Sequence, residues 1–228
     1  SGLSGDMTVG ALLALGVPLE HLRAQLATLD LHGYRLSVEP RLVHGIAATK
    51  FDVVLEDGEP LAPEPRAPAH GHDHGAGHEH AADERAVGHA AEAATGHAHR
   101  SFRDIRALIE RSGVEPAAKD VALRIFARLA EAEGRVHAVP AEDVTFHEVG
   151  AVDSIVDIVS VALGFTWLGV KAAWVGALPS GSGIVRSQHG PIPVPPPATA
   201  ELLRGFDVRL GDGSGELVTP TGAAILAA

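Results

Sequence analysis

Apolar residues recur every three to four positions in several stretches of the chain, and this spacing predicts amphipathic helices. One helix is predicted from Asp6 to Leu15, and a second begins at Pro18, because proline suits the first position of a helix. A longer helix opens at Pro116 and another at Val152. The apolar positions behind these predictions are Leu19, Leu22, Leu26, Leu29, Val121, Ile125, Leu129, Val136, Ile155, Val156, Val159 and Leu163.

Two other stretches alternate strictly between apolar and polar residues, which is the pattern of half-buried strands. These alternating sets, on either side of a turn at His44-Gly45, are Tyr34, Leu36 and Val38, and Phe51, Val53 and Leu55. Shorter elements are predicted as strands at 172–175 and 206–210, a long loop at 179–197, and helices at Ser101, at 198–203 and from Thr221. Strands that alternate with helices favour an α/β fold, a layered sheet with flanking helices.

The stretch from 59 to 99 interrupts this pattern, because it is rich in Pro, Ala, Gly and His and has few large apolar residues. Such a composition cannot bury enough surface to fold, so we predict a disordered insertion. The chain then divides into residues 1–58, which begin the α/β domain, the His-rich insertion 59–99, and residues 100–228, which complete the domain.

The insertion carries closely spaced histidines, and imidazole is a good ligand for nickel, zinc and copper. The loose metal ligands predicted there are His70, His72, His74, His78, His80, His97 and His99. A mobile tract cannot fix a catalytic geometry, so we interpret it as a tether that captures or delivers metal ions.

Composition narrows the function classes. A formal net charge of -11 argues against nucleic-acid binding, which depends on cationic neutralisation of phosphates. The absence of cysteine excludes thiolate metal sites and disulfides and fits a cytoplasmic protein. The apolar run near 155–170 is interrupted by Asp157 and Gly164, which predicts a buried helix and no membrane span. The chain begins at Ser1 without an initiator Met and ends in an apolar run, so we interpret it as a fragment of a longer protein.

One short junction between a predicted strand and a predicted helix holds a histidine and three carboxylates: His147, Glu148, Asp153 and Asp157. Burying a charge without a partner costs several kcal/mol, so such a group in an apolar stretch indicates binding. Asp153 and Asp157 are four residues apart and share one helix face. The alternative is structural, with Asp153 complementing the helix dipole and the loop residues merely polar.

The opening turn holds Ser4 and Gly5 directly before a helix, where unpaired backbone N–H groups suit a phosphate or a carboxylate. Asp6 would repel such an anion unless a metal ion lay between them, so it is predicted as a metal ligand. The alternative is a plain capped helix.

Two further loops offer similar donors. The predicted substrate-binding residues of these loops are Ser180, Gly181, Ser182, Gly183, His189, Thr219 and Thr221. Glycine lets a ligand approach the backbone closely, and the prolines after His189 lower the entropy cost of holding the loop. Because α/β sheets bind ligands at the carboxyl edges of their strands, we predict that these loops and the acidic junction form one site.

Together these motifs resemble the nickel insertion protein of the lactate racemase system, a chelatase that acts on pyridinium bisthiocarboxylic acid mononucleotide. The resemblance covers essentially the whole chain outside the insertion, and the linked motifs occur in the family's order. They are residues 1–7, 44–50, 146–158, 178–183, 189–195 and 216–222. The family also carries a variable, often His-rich stretch where this chain has its insertion.

The resemblance implies that nickel is inserted between two sulfurs and a ring carbon of the mononucleotide, giving the nickel-pincer cofactor. It also implies CTP dependence with manganese or magnesium, a homo-oligomeric cytosolic protein, and a recipient enzyme such as lactate racemase. The resemblance further implies a C-terminal domain in the family, associated with the nucleotide and with oligomerisation, and we expect the present sequence to stop before it.

The histidine and carboxylates of the acidic junction are consistent with this resemblance. A metal–carbon bond at a pyridinium ring requires a base that removes the ring proton. We predict His147 or Glu148 as that base, and His147, Asp6, Asp153 and Asp157 as metal ligands or their supports. Two alternatives remain at this point. One is a His-rich nickel or zinc storage or delivery protein without catalysis, and the other is a metal-dependent phosphohydrolase that uses the same carboxylates and loops.

Overall fold

The computed structural model describes residues 2–55, 100–146, 151–187, 190–211 and 213–228. The predicted insertion at 59–99 lies outside the described residues, so its disorder and the proposed role of its histidines stay predictions. The described residues form a mixed α/β structure with helices packed around a common core and with short two-stranded ladders.

The helices begin and end where the sequence provides the local signals. They are α1 Gly5–Ala14, α2 Leu19–Leu26, α3 Phe102–Arg111, α4 Pro116–His137, α5 Val152–Leu168, α6 Pro197–Leu202 and α7 Pro220–Ala227, with a 3-10 turn at Ala141–Asp143. Ser101 and Asp104 form a reciprocal capping box at the start of α3. Gly169 ends α5 in the left-handed conformation, which glycine adopts at low cost. The helix boundaries predicted from sequence are confirmed to within a residue or two.

The longest strands form one antiparallel hairpin, β1 Tyr34–Val43 and β2 Ile46–Leu55. Val38 lies opposite Phe51, and the apolar sets of both strands share one face that packs on the core. The turn residues His44 and Gly45 both have positive φ, which suits a two-residue hairpin loop. The predicted strands and turn are therefore confirmed.

The remaining strands are short and pair over a few residues. The antiparallel pairs are β3 Arg100–Ser101 with β4 Thr145–Phe146, β6 Gly181–Ser182 with β10 Gly215–Glu216, and β7 Ile184–Ser187 with β8 Gly190–Pro193. One pair is parallel, β5 Leu178–Pro179 with β9 Val208–Arg209. An isolated parallel bridge joins Leu3 to Val218.

Helix α5 forms the centre of the core and packs against α1, α4 and α7. Gly164 makes the contact with α1 possible, because a Cβ there would lie 2.8 Å from Leu12 Cδ1. Gly10 plays the same part for the hairpin, since a Cβ would lie 2.3 Å from the carbonyl oxygen of Thr49. These close approaches hold the C-terminal half of α1 against the C-terminal half of α5 and against β2.

The structure differs from two predictions made for residues 172–197. Residues 172–175 form no strand and are exposed, because no neighbouring described segment pairs with their backbone. The predicted loop at 179–197 instead contains β6, β7 and β8, since its glycines permit the tight reversals that bring strands together. In place of the predicted layered sheet, the described residues form small two-stranded ladders within a mixed α/β structure.

Among the described helices, none has the length and apolar character needed to cross a membrane.

Candidate functional site

Backbone hydrogen bonds bring the three predicted ligand loops side by side. The Leu3 N–H donates to the carbonyl oxygen of Leu217 at 2.7 Å, and the Thr219 N–H donates to that of Leu3 at 3.0 Å. On the other side of this segment, the Leu217 N–H donates to the carbonyl oxygen of Ser180 at 3.4 Å. The structure thus places Leu3, Leu217 and Ser180 on neighbouring, hydrogen-bonded segments.

Glycine at position 181 is required for this arrangement. Its φ of +81° lies in the left-handed region, and a Cβ would lie 1.9 Å from the carbonyl oxygen of Gly215. Any side chain would therefore separate β6 from β10 and open the gap between the two loops. The sequence motif at 180–183 is explained in part by this packing requirement.

Two helix N-termini emerge from the neighbouring segments. The Ser4 hydroxyl caps α1 by accepting from the Met7 N–H at 3.4 Å, and the Thr219 hydroxyl caps α7 by accepting from the Gly222 N–H at 3.2 Å. Ser4 also donates a short hydrogen bond to the Asp6 carboxylate. Helix N-termini carry partial positive charge and unpaired N–H groups, so this end of the protein can attract an anion.

Three carboxylates meet at the start of α1. Asp157 packs directly on Gly5, and the backbone N–H of Asp6 donates a hydrogen bond to the Asp157 carboxylate. Burial raises the pKa of the Asp157 carboxyl well above its ordinary value, and the negative charges of Asp6 and Asp153 raise it further. A site that gathers like charges in this way gains from a cation or a proton.

The hairpin adds charged groups that sequence reasoning did not assign to the site. Asp52 also raises the pKa of Asp157, and its carboxylate forms an ion pair with the Lys50 ammonium at 2.9 Å. Lys50 and Asp52 fall on the polar face of β2, opposite the face that carries the buried Phe51. Strand alternation could have identified that face, but only the packing of β2 on α1 shows what it approaches.

The predicted substrate-binding side chains differ in exposure. Ser180 is fully buried, and its hydroxyl donates to the carbonyl oxygen of Gly181 at 2.9 Å. The Ser182 hydroxyl donates to the carbonyl oxygen of Gly213 at 2.7 Å, and Thr221 is buried in the first turn of α7. Ser180, Ser182 and Thr221 therefore support the loops by their packing and local bonds, and Gly183 ends the segment with a positive φ.

Some predicted residues cannot be placed. His147, Glu148 and His189 lie outside the described residues, so the structure brings together only part of the predicted set. Within the described ranges, no group of three His, Asp or Glu side chains is arranged to hold a metal ion. Asp6, Asp153 and Asp157 are close enough for their charges to interact, yet they do not by themselves form a preassembled metal centre.

The family model for the nickel insertion protein matches residues 1–228, which is the whole chain. The chain belongs to the nickel insertion protein family. A relative from Akkermansia muciniphila, called pyridinium-3,5-bisthiocarboxylic acid mononucleotide nickel insertion protein, is 42% identical over 229 residues. Relatives from Geotalea daltonii and Citrifermentans bemidjiense, whose names contain the words nickel insertion protein, are 45% identical over 230 residues and 46% identical over 228.

These alignments cover all of this chain but only 49% to 50% of the relatives. The chain therefore spans about half the length of the proteins that it resembles. No solved structure shows a significant match to it.

Proposed function

We propose that this member of the nickel insertion protein family takes part in the insertion of nickel into pyridinium-3,5-bisthiocarboxylic acid mononucleotide. The observation that carries the proposal is the contact between Asp157 and the start of α1, where the charges of Asp6 and Asp153 act on the buried Asp157 carboxyl. The name of the relative from Akkermansia muciniphila supports the same substrate. Nickel is the cargo of this reaction.

The two halves of such a substrate need opposite charges from the protein. The phosphate of the mononucleotide suits the partial positive charge at the N-termini of α1 and α7, which begin on neighbouring segments. The incoming Ni²⁺ suits the carboxylates of Asp6, Asp153 and Asp157, which gain from a cation. Oxygen ligands hold nickel less firmly than thiolates, so the sulfurs of the substrate can take it over.

The chemical step exchanges a proton for nickel. Nickel bonds to the two sulfurs and to the ring carbon, and the proton on that carbon leaves to a base. His147 or Glu148 is assigned as the base, and His147 as a further ligand, because both precede α5 and its acids in the sequence. His189 is assigned to substrate binding with Gly181 and Gly183. These assignments rest on sequence position.

The wider context follows from the family resemblance. We propose CTP dependence with manganese or magnesium, assembly into a homo-oligomer at full length in the cytoplasm, and transfer of the finished cofactor to an enzyme such as lactate racemase. Because the family resemblance associates the nucleotide with the C-terminal domain, we assign CTP to the half of the relatives that lies outside this chain.

The test uses the full-length protein with nickel, CTP and the dithiolated mononucleotide. Mass spectrometry should detect the nickel adduct of the mononucleotide, with loss of the ring proton. A storage protein would bind nickel through 59–99 and give no adduct, and its function in cells would survive mutation of the acidic junction. A phosphohydrolase would release inorganic phosphate from simple mononucleotides without nickel. Either result would replace the present proposal.

A further inference from the structure

A polar cleft away from the candidate nickel site lies between α4, the end of α6 and the end of α7. It has a volume of about 420 Å³ and is lined by Arg128, Arg135, Glu201, Leu202, Arg204, Phe206, Leu226 and Ala227. We call it the arginine cleft. None of its lining residues belongs to the loops or the carboxylates of the candidate nickel site, so that site does not account for it.

The arginines converge because of helix geometry. Arg128 and Arg135 are seven residues apart on α4, which is close to two full turns and places both on one face. Arg204 follows the last turn of α6, which packs on the same face of α4. Three guanidinium groups therefore border one cleft in a protein whose formal net charge is -11.

A single carboxylate organises two of them. The Glu201 side chain is only 19% exposed, and it lies 3.2 Å from Arg135 Nε and 2.8 Å from the Arg204 terminal nitrogen. One negative charge between two positive charges leaves the group of Glu201, Arg135 and Arg204 with a net positive charge. It also restrains both side chains, which lowers the entropy cost of their binding another anion.

The third arginine has a fixed orientation, and its charge is offset by a neighbouring glutamate. Arg128 donates from Nε to the carbonyl oxygen of Ala227 at 3.0 Å and pairs with Glu131 at 3.3 Å. A guanidinium group carries five N–H donors, and these contacts use two of them. The apolar side chains of Leu202, Phe206 and Leu226 complete the lining.

We propose that the arginine cleft binds the phosphate group of a small anionic ligand. Planar guanidinium forks match the oxygens of phosphate in bidentate fashion, and clefts of a few hundred Å³ are typical of small-molecule sites. The proposal stands on the geometry of α4 and α6 and is independent of nickel insertion.

The probe is inorganic phosphate, titrated by calorimetry at constant ionic strength set with sodium chloride. The unaltered protein should bind phosphate saturably, and Arg135→Gln and Arg204→Gln should each weaken that binding about tenfold, as expected for loss of a charge-assisted contact. Arg204 is 74% exposed, so its variant should keep the fold, which a thermal melt checks. Arg103→Gln is the control, because Arg103 is also exposed and pairs with Asp143 at 3.3 Å on a different surface.

The outcomes separate the possibilities. Loss of phosphate binding in both cleft variants, with the Arg103 variant unchanged, supports the proposal. Phosphate binding that survives Arg135→Gln and Arg204→Gln belongs elsewhere, for instance at the N-termini of α1 and α7, and overturns it. Equal weakening by Arg103→Gln would indicate only the general loss of positive charge and would also overturn it, as would the absence of saturable binding.

Discussion

The carboxylate of Asp157 lies against Gly5, so closely that a Cβ on residue 5 would stand 2.5 Å from Asp157 Oδ2. This contact joins α5 to the first turn of α1, although the two residues are far apart in sequence. It places a carboxylate with a raised pKa where the backbone N–H of Asp6 can bond to it. The acid cluster thus depends on the absence of one methyl group.

Gly5→Ala should therefore destabilise the protein by about 1–3 kcal/mol, the usual cost of forcing an extra carbon into a packed contact. A thermal melt measures the change. Gly176→Ala is the matched control, because a Cβ at Gly176 would meet no atom within 4 Å. Equal melting temperatures for the two variants would show that α1 can move away from Asp157 at little cost.

Asp157→Asn should raise the melting temperature of the nickel-free protein at neutral pH. An unfolded aspartate titrates near 3.9, whereas burial and the charges of Asp6 and Asp153 raise the pKa in the folded state. Folding then favours the protonated form, so the free energy of unfolding falls as the pH rises from about 4 through the raised pKa. Asparagine cannot ionise, and the difference between variant and unaltered protein should grow over that range.

Thermal melts at a series of pH values give this difference directly. Asp120→Asn serves as the control, since Asp120 is exposed on α4 and its replacement should leave the pH profile unchanged. A variant that is less stable at neutral pH would show that the Asp157 charge is compensated in the folded protein.

Ser101→Ala should cost about 1 kcal/mol at neutral pH, because Ser101 caps α3. Its hydroxyl and backbone N–H bond to Asp104 and lower the pKa of that carboxyl. Because the pKa of the Asp104 carboxyl is lower in the folded protein than in the unfolded chain, its ionised form stabilises the fold at pH values above the pKa of the unfolded chain. This stabilisation disappears as the pH falls through the pKa of the folded protein. The melting difference between variant and unaltered protein should accordingly shrink in acid. A constant difference would mean that the hydroxyl acts through the helix backbone alone.

Local signals made the helix starts predictable, since Ser101 caps α3 and Pro116 opens α4 through contacts with adjacent residues only. The candidate site was predictable only as a set of motifs. Its loops were recognised by their glycines, but the contact of Gly5 with Asp157 depends on packing between distant segments. Asp52 was not predicted as part of the site, because its approach to Asp157 depends on the packing of β2 on α1.

The exposed segment at 172–175 was predicted as a strand but forms none. Only its Trp and Val residues favour a strand, and the prediction of a strand was wrong because a strand also needs a paired neighbour. Trp174 is 90% exposed. Propensity describes what a segment can adopt, whereas pairing depends on the rest of the chain.

Removal of residues 59–99 should leave the melting temperature nearly unchanged and lower the number of nickel ions bound per chain. The predicted reason is that this stretch lacks core-forming residues but carries the loose ligands from His70 to His99. Melting curves and nickel titration by metal analysis measure the two effects. Replacing only the histidines by serine is the matched control and should reproduce the loss of nickel. A large drop in melting temperature would reveal an ordered element within the stretch.

Asp153→Asn should abolish nickel insertion by the full-length protein at little cost in stability. Asparagine keeps the size and much of the hydrogen-bonding capacity of aspartate but removes the charge that is proposed to help hold Ni²⁺. Asp153 lies in the first turn of α5, where a carboxylate also complements the helix dipole, a contribution of about 0.3–1 kcal/mol. The adduct assay by mass spectrometry and a thermal melt therefore report on two separate roles. Asp120→Asn, on the exposed face of α4, should leave both measurements unchanged. If Asp153→Asn instead lowers the melting temperature sharply while the folded fraction still inserts nickel, Asp153 stabilises α5 and is not a ligand.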